Sequence, residues 1–383
     1  MSDNVVVLGG GPYQRHLVRF LQAKKHTVYV VNPRPTETTS LARHVEADIL
    51  DIETVYRAVR ELDPLFIVSD QSDVASMPVA ILSERLGLPG NRPDVVELFT
   101  NKAAMYAYAQ SLGIPVLPFR EVVTPNEAAE FARQTGYPVV IKPVDGTNSR
   151  GVYRAGDDRE LAHLFPKALG FSRAGRLVAQ AYNPGVMQVT VEGTCSRGYH
   201  ATITASRKGT YWAPALTSCL TWPQPLPQAL TNCNDSFVDI SGLQFGITHA
   251  EYIIGEDGFW LNEIACRGGG FRISSDIAPW VSRLPFYEIL YKNLLGGAVE
   301  AREPPMPQRS ALLKFYRRGE LPEASIDAIR ALPGVLDLTR HSAQEFVSNP
   351  DNVRDAYLII LGEDAAAVDE TLRRVEHICS KSS

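Results

Sequence analysis

Short apolar runs alternate with helically spaced stretches along the first part of the chain. NVVVLG reads as a strand, GGP as a turn, and the residues through Phe20 as a helix; TVYVVN is a second strand and LFIVSD a third, followed by a helix through Leu86. Apolar strands separated by helices predict a parallel sheet with crossover helices. The unit closes at LGLPGNRP, near residue 90. Helical material follows from Asp94 to Leu112, with Thr100 as a capping residue and Lys102 in the first turn after it. YPVVIKPVDGTNSRGVYRAG is then a strand, a glycine-containing loop and a strand, and RLVAQAYNPG is a strand ending at a Pro-Gly turn. Beyond residue 300, ALLKFY, VLDLT and AYLIILG form three strands with a helix between the first two. A last helix from Asp364 carries the apolar stripe Val368, Leu372, Val375 and Ile378.

Composition narrows the classes. With 383 residues the chain exceeds what one core usually serves, so two or three domains are expected. Its 45% hydrophobic and 21% charged content is that of an ordinary globular protein. A net charge of −5 with scattered lysines and arginines offers no footprint for nucleic acid. The apolar run in MSDNVVVLGG is too short for a signal peptide or a membrane span. Five unclustered cysteines fit neither a zinc site nor a disulfide framework, so the expected location is a reducing cytoplasm. GGGPYQ places Gly9 and Gly11 at two positions of a dinucleotide fingerprint. Gln14 at the third, and Asn32 where an acid is wanted, favour a plain strand-to-helix turn over a nicotinamide site.

Candidate chemistry concentrates in three stretches. Lys142 interrupts an apolar strand, so its ammonium is desolvated and wants an anion; the small, polar loop after it can bring backbone N–H groups and Ser149 to phosphate oxygens. Lys102, at a helix start, can join that helix N-terminus in holding an anion. Gln180 and the backbone at Ala181 match the donor and acceptor pattern of an adenine edge, though an ordinary strand reads the same way. The hairpin THAEYIIGEDGFWLNEIACR is the most informative. A loop over Glu256–Gly258 would set Gly255 opposite Phe259 and hence Glu251 opposite Glu263, with His249, Ala265 and Arg267 on the same face. Opposed carboxylates repel and call for a cation; Mg²⁺, which combines one or two carboxylates with substrate phosphates, fits best, a shared proton or a slipped register being the other readings. Arg267 and Arg272 are candidates for a two-point grip on a phosphate or carboxylate.

Taken in order, TNKAAM, VVIKPVDGTNSRGV, VAQAYNPG and HAEYII…FWLNEIACRGGG make the chain resemble the ATP-grasp superfamily, in particular its carboxylate–amine ligases and its carbamoyl-phosphate-synthase-like and biotin-carboxylase-like members. The resemblance implies an α/β (α+β) fold: a Rossmann-like domain over 1–93, an ATP-grasp domain over 94–303 with a mobile lid near 118–182, and a small C-terminal lobe over 304–383. It implies that Lys102, Lys142, Ser149 and Gly151 contact ATP phosphates, that Gln180 and Ala181 read adenine, and that Gln188, with Glu192 further along, stands where a ribose-binding glutamate is usual. Glu251 and Glu263 would hold Mg²⁺, with Mn²⁺ as a substitute, while Arg267 would steady the acyl phosphate or phosphate, Arg272 being the second candidate for a catalytic arginine. The implied reaction joins a small carboxylate to an amine with release of ADP; no nucleic acid or membrane partner is expected, and the oligomeric state, a homodimer included, is open. Ala265 departs from the family's usual Asn. It keeps in view a nucleotide-binding regulatory protein without turnover; a biotin-carboxylase-like enzyme is the other alternative, although no biotinyl Met-Lys-Met stretch is present.

Overall fold

The computed structural model describes residues 3–211, 217–297, 299, 306–340 and 354–382. Three sheets organise them. The first is parallel and contains β1 (Asn4–Leu8), β2 (Thr27–Asn32), β3 (Arg43–Glu46) and β4 (Ile67–Val68), in the order β3-β2-β1-β4. It is the expected crossover layer, with LFIVSD contributing only the two residues of β4.

The second sheet contains β5 (Phe119–Val122), β6 (Val139–Pro143), β7 (Tyr153–Ala155) and β8 (Leu177–Ala181), in the antiparallel order β5-β8-β6-β7. With the helices Pro125–Thr135 and Asp158–Leu169 it encloses its own small core around Phe131, Ile141 and Phe165.

The third sheet is the largest. It contains β9 (Met187–Ser196), β10 (Tyr199–Thr210), β11 (Thr217–Trp222), β12 (Phe245–Ile254), β13 (Phe259–Ala265), β14 (Ser310–Arg317), β15 (Val335–Arg340) and β16 (Arg354–Gly362). Their order is β13-β12-β9-β10-β11-β14-β16-β15. The strands of the small closing lobe continue the central sheet, β11 pairing directly with β14. The expected boundary at residues 303–304 lies outside the described residues.

One hydrophobic core joins the ends of the chain: Val5, Leu17 and Phe66 of the first layer meet Leu313, Phe315 and Ile359 of the last strands. Burial of this apolar surface, worth roughly 25 cal/mol per Å², sets the first layer against the large sheet. Both α/β and α+β elements are present, and the second and third sheets face each other across a cleft.

Candidate active site

The cleft encloses about 1430 Å³, open solvent at its mouth included, and is lined from the second and third sheets and nearby loops, with Asp73 from the helix Asp73–Leu86. Its chemistry begins at the hairpin β12–β13. The tip pairs Ile254 with Phe259, and Gly255 N–H donates to Gly258 O at 2.8 Å, so the turn is one step tighter than expected. A bulge between Glu251 and Tyr252 then restores the other register, and Glu251 stands opposite Glu263. The extra residue is Asn262. Its amide donates to Glu251 Oε2 at 3.2 Å and its Oδ1 accepts from Lys142 Nζ at 3.2 Å. A bulge re-aims a side chain in this way, and here it brings an amide into the cleft beside the acids. Ala265 is buried and does not line the cleft.

Each acid holds a lysine. Lys102, whose side chain is 7% exposed, reaches Glu263 Oε1 at 2.8 Å and the Gly146 carbonyl at 2.8 Å. Its helix, Lys102–Ser111, is capped by Asn101, whose side chain accepts from Ala103 and Ala104, so the cap falls one residue after Thr100. Lys208 of β10, 5% exposed, lies 2.9 Å from Glu251 Oε2. Burial works to raise the Glu251 pKa, but Lys208 and His249 outweigh it and hold the carboxyl down at about 2.

Lys142 is placed differently. Its ammonium meets Tyr106 Oη at 2.6 Å and the Asn262 amide, and no described carboxylate pairs with it. Burial, reinforced by the nearby Lys102 charge, lowers its pKa to about 7. Tyr106 in turn donates to the Asn262 carbonyl at 2.5 Å. Tyr106 lies four residues after Lys102 on one helix, so the two share a face.

The other expected residues divide. Ser149, Gln180, Ala181 and Gln188 all line the cleft. Gln180 Nε2 is buried without an acceptor, which leaves a donor for a ligand. The N–H of Ala181 donates to Pro118 O at 2.8 Å, so that donor is not offered to a base. Gly151 does not line the cleft; a Cβ there would come within 2.9 Å of Phe171 and Pro143, and its φ of +70° suits glycine. Its role is to close the loop, whose Asn148 and Ser149 also adopt positive φ. Glu192 is fully buried and faces His249 Nδ1 at 2.8 Å, which removes it as a ribose ligand.

The arginines need correction. The fork of Arg267 is engaged by Asp73 at 2.7 Å on both nitrogens, and a third nitrogen donates to Gly268 O at 3.0 Å. It lines the cleft as half of an ion pair. Arg272 does not line it: its guanidinium binds Asp276 through two bonds at 2.9 and 3.1 Å and Asp337 at 3.0 Å, tying the stretch after the glycines to β15. The glycines also serve packing. A Cβ on Gly268 would sit 2.2 Å from Ser274 Cβ, where the Gly268 N–H and the Ser274 hydroxyl both donate to Asp70.

Two carboxylates opposed on one face and open to the cleft fit Mg²⁺, which takes few protein ligands and completes its shell with phosphates and water. Among the described residues no cluster of three or more His, Cys, Asp or Glu could hold a metal alone. No described helix is long and apolar enough to cross a membrane.

A parallel layer, a small antiparallel sheet and a large one that grip a cleft of lysines and paired acids define the ATP-grasp fold, and this chain has it. Residues 101–182 match the family model of the carbamoyl-phosphate synthase L chain, ATP binding domain. A formate-dependent phosphoribosylglycinamide formyltransferase of Corynebacterium jeikeium is 28% identical over 209 residues, 50% of this chain and 48% of that protein. The chain spans half or less of the length of the curated relatives it matches. Among solved structures, an L-amino acid ligase from Bacillus licheniformis superposes with a TM-score of 0.78 at 17% identity, covering 98% of this chain and 97% of that one. An N5-carboxyaminoimidazole ribonucleotide synthetase from Thermus thermophilus gives 0.74 at 17%, covering 98% of each. At these identities the likeness is one of fold.

Proposed function

We propose that the chain is an ATP-dependent, ADP-forming ligase that activates a small carboxylate as an acyl phosphate and joins it to an amine. The observation that carries this reading is the meeting of Lys102, Lys142 and Lys208 with the opposed Glu251 and Glu263 in one cleft. Phosphoryl transfer needs positioning and charge neutralisation more than a protein nucleophile. The substrate carboxylate oxygen attacks the γ-phosphorus, the bond to the β–γ bridging oxygen breaks, and ADP leaves with the electron pair. The amine nitrogen then attacks the acyl carbon, the carbon–oxygen bond to phosphate breaks, and the nitrogen loses a proton.

In this reading Lys102 and Lys142 hold phosphate oxygens, the Gly146–Arg150 loop covers them, and Gln180 and Gln188 face the nucleoside. Glu251 and Glu263 would hold Mg²⁺, which when bound supplies the charge that neutralises the transferring phosphoryl group. Arg267 keeps Asp73 and the start of the glycine stretch in place from the cleft wall.

The test is ADP release from MgATP with pooled carboxylates and amines, followed by mass analysis of the product. The expected result is ADP formed only when both partners are present, and a loss of roughly 10³-fold in Glu263→Gln with the fold retained. AMP with pyrophosphate, or full activity in Glu263→Gln, would contradict it.

A further inference from the structure

The cleft continues past the acids to a second end with a different character. Here Phe271, Phe315, Leu313 and Ile273 line it, and Arg354 joins them from the start of β16. The Arg354 guanidinium stacks 4.5 Å from the Phe315 ring centre and 5.6 Å from that of Phe271. The Phe271 ring also lies 5.2 Å, centre to centre, from that of Tyr13 in the GGGPYQ turn of the first layer.

Among the described residues, no carboxylate pairs with Arg354 and no group accepts a hydrogen bond from it. The neighbouring charges are already engaged. Arg317, its register partner on β14, is tied to Glu320, and Glu320 also accepts from Tyr211. Arg267 and Arg272 hold Asp73, Asp276 and Asp337. Burial lowers the Arg354 pKa to about 10, which leaves it charged at neutral pH. A desolvated guanidinium without a counter-ion is costly, and its flat edge is shaped for a carboxylate.

We infer that Arg354 anchors a carboxylate of the substrate that is not the one being activated. The order of strands sets the two groups on different parts of the cleft wall: four strands lie between β12, which carries Glu251, and β16, which carries Arg354. A group held at Arg354 meets the aromatic part of the cleft, where Phe271, Ile273, Leu313 and Phe315 suit a substrate with an apolar body. This assignment rests on the ligase reading and deepens it, naming a substrate with a free carboxylate at the end away from the reaction. A single guanidinium between aromatic rings suits a monoanion better than a phosphate dianion, which gathers several donors.

The experiment is calorimetric binding to the full chain loaded with MgADP. The probes are aromatic and aliphatic carboxylates (amino acids included), each beside its carboxamide, and phenyl phosphate. Acids are expected to bind, their carboxamides about 30-fold more weakly or not at all. Arg354→Gln should lose the acids by the same factor, Arg354→Lys should recover part of the loss, and MgADP affinity should be unchanged in both. Equal binding of acids and carboxamides, or acid binding by Arg354→Gln at the wild-type level, overturns the anchor. Binding of phenyl phosphate alone, or of no probe while MgADP binds, overturns the carboxylate. Failure of MgADP to bind removes instead the nucleotide reading on which the anchor rests.

Discussion

The two ends of the cleft hold their charges in opposite ways. At the end proposed for the nucleotide the partners are internal: Lys102 on Glu263, Lys208 on Glu251, and Lys142 against Tyr106 and Asn262. At the far end Arg354 lies against aromatic faces with no described acidic partner. The first end is neutralised in advance, so in the proposed reading a metal and phosphates would displace lysine–carboxylate contacts. Among the described residues the second end holds no anion against Arg354, so the proposed ligand would supply a partner there. On this reading, binding at the first end would be an exchange of ions, and at the second an addition.

The largest effect that separates these behaviours is expected at Lys208. Lys208→Met leaves Glu251 buried without its cation, which should cost about 3 kcal/mol of stability in metal-free buffer. If metal and lysine exchange on the same carboxylates, Mg²⁺ should restore much of that loss in a thermal melt. A melt indifferent to Mg²⁺ would show that the acids do not receive it.

A smaller effect belongs to Lys142. Its pKa is about 7 in the folded chain, below the ordinary lysine value, so between about 7 and 10.5 the unfolded chain binds more protons and stability rises with pH. Below about pH 7 both states are protonated and the burial penalty is fully present. An arriving phosphate favours the ammonium, so nucleotide binding near pH 8.5 should take up about one proton. That uptake should fade below pH 7 and be absent in Lys142→Met. Calorimetry in buffers of different ionisation enthalpy reads it directly, and uptake that persists in Lys142→Met would assign the proton elsewhere.

Much of the fold is legible because its strands are apolar runs between punctuating glycines and prolines. The central strands are harder to read: β9 buries Thr190, Glu192, Thr194 and Ser196 among its apolar residues, so its pattern is neither alternating nor continuous. The acid pair is legible from the hairpin, yet the path to it differs. The tip is one step tighter than the loop sequence implies, and the bulge at Asn262 returns the register. Tyr106 is within reach of helical spacing from Lys102, whereas no local signal marks Lys208.

The arginines show the limit most clearly. Whether a guanidinium is available depends on carboxylates distant in sequence. Asp73 takes Arg267, and Asp276 with Asp337 takes Arg272. Arg354 sits in an ordinary strand and becomes conspicuous only when the cleft around it is known.

The central claim is that the acids and lysines of this cleft transfer the γ-phosphoryl group to a carboxylate. The most direct measurement uses the carboxylate that elicits ADP release, labelled with ¹⁸O in its carboxyl group, and reads the isotope content of the released phosphate. The acyl-phosphate route predicts one carboxylate oxygen carried into each phosphate, with the other kept in the amide product. Unlabelled phosphate released together with that product would contradict it.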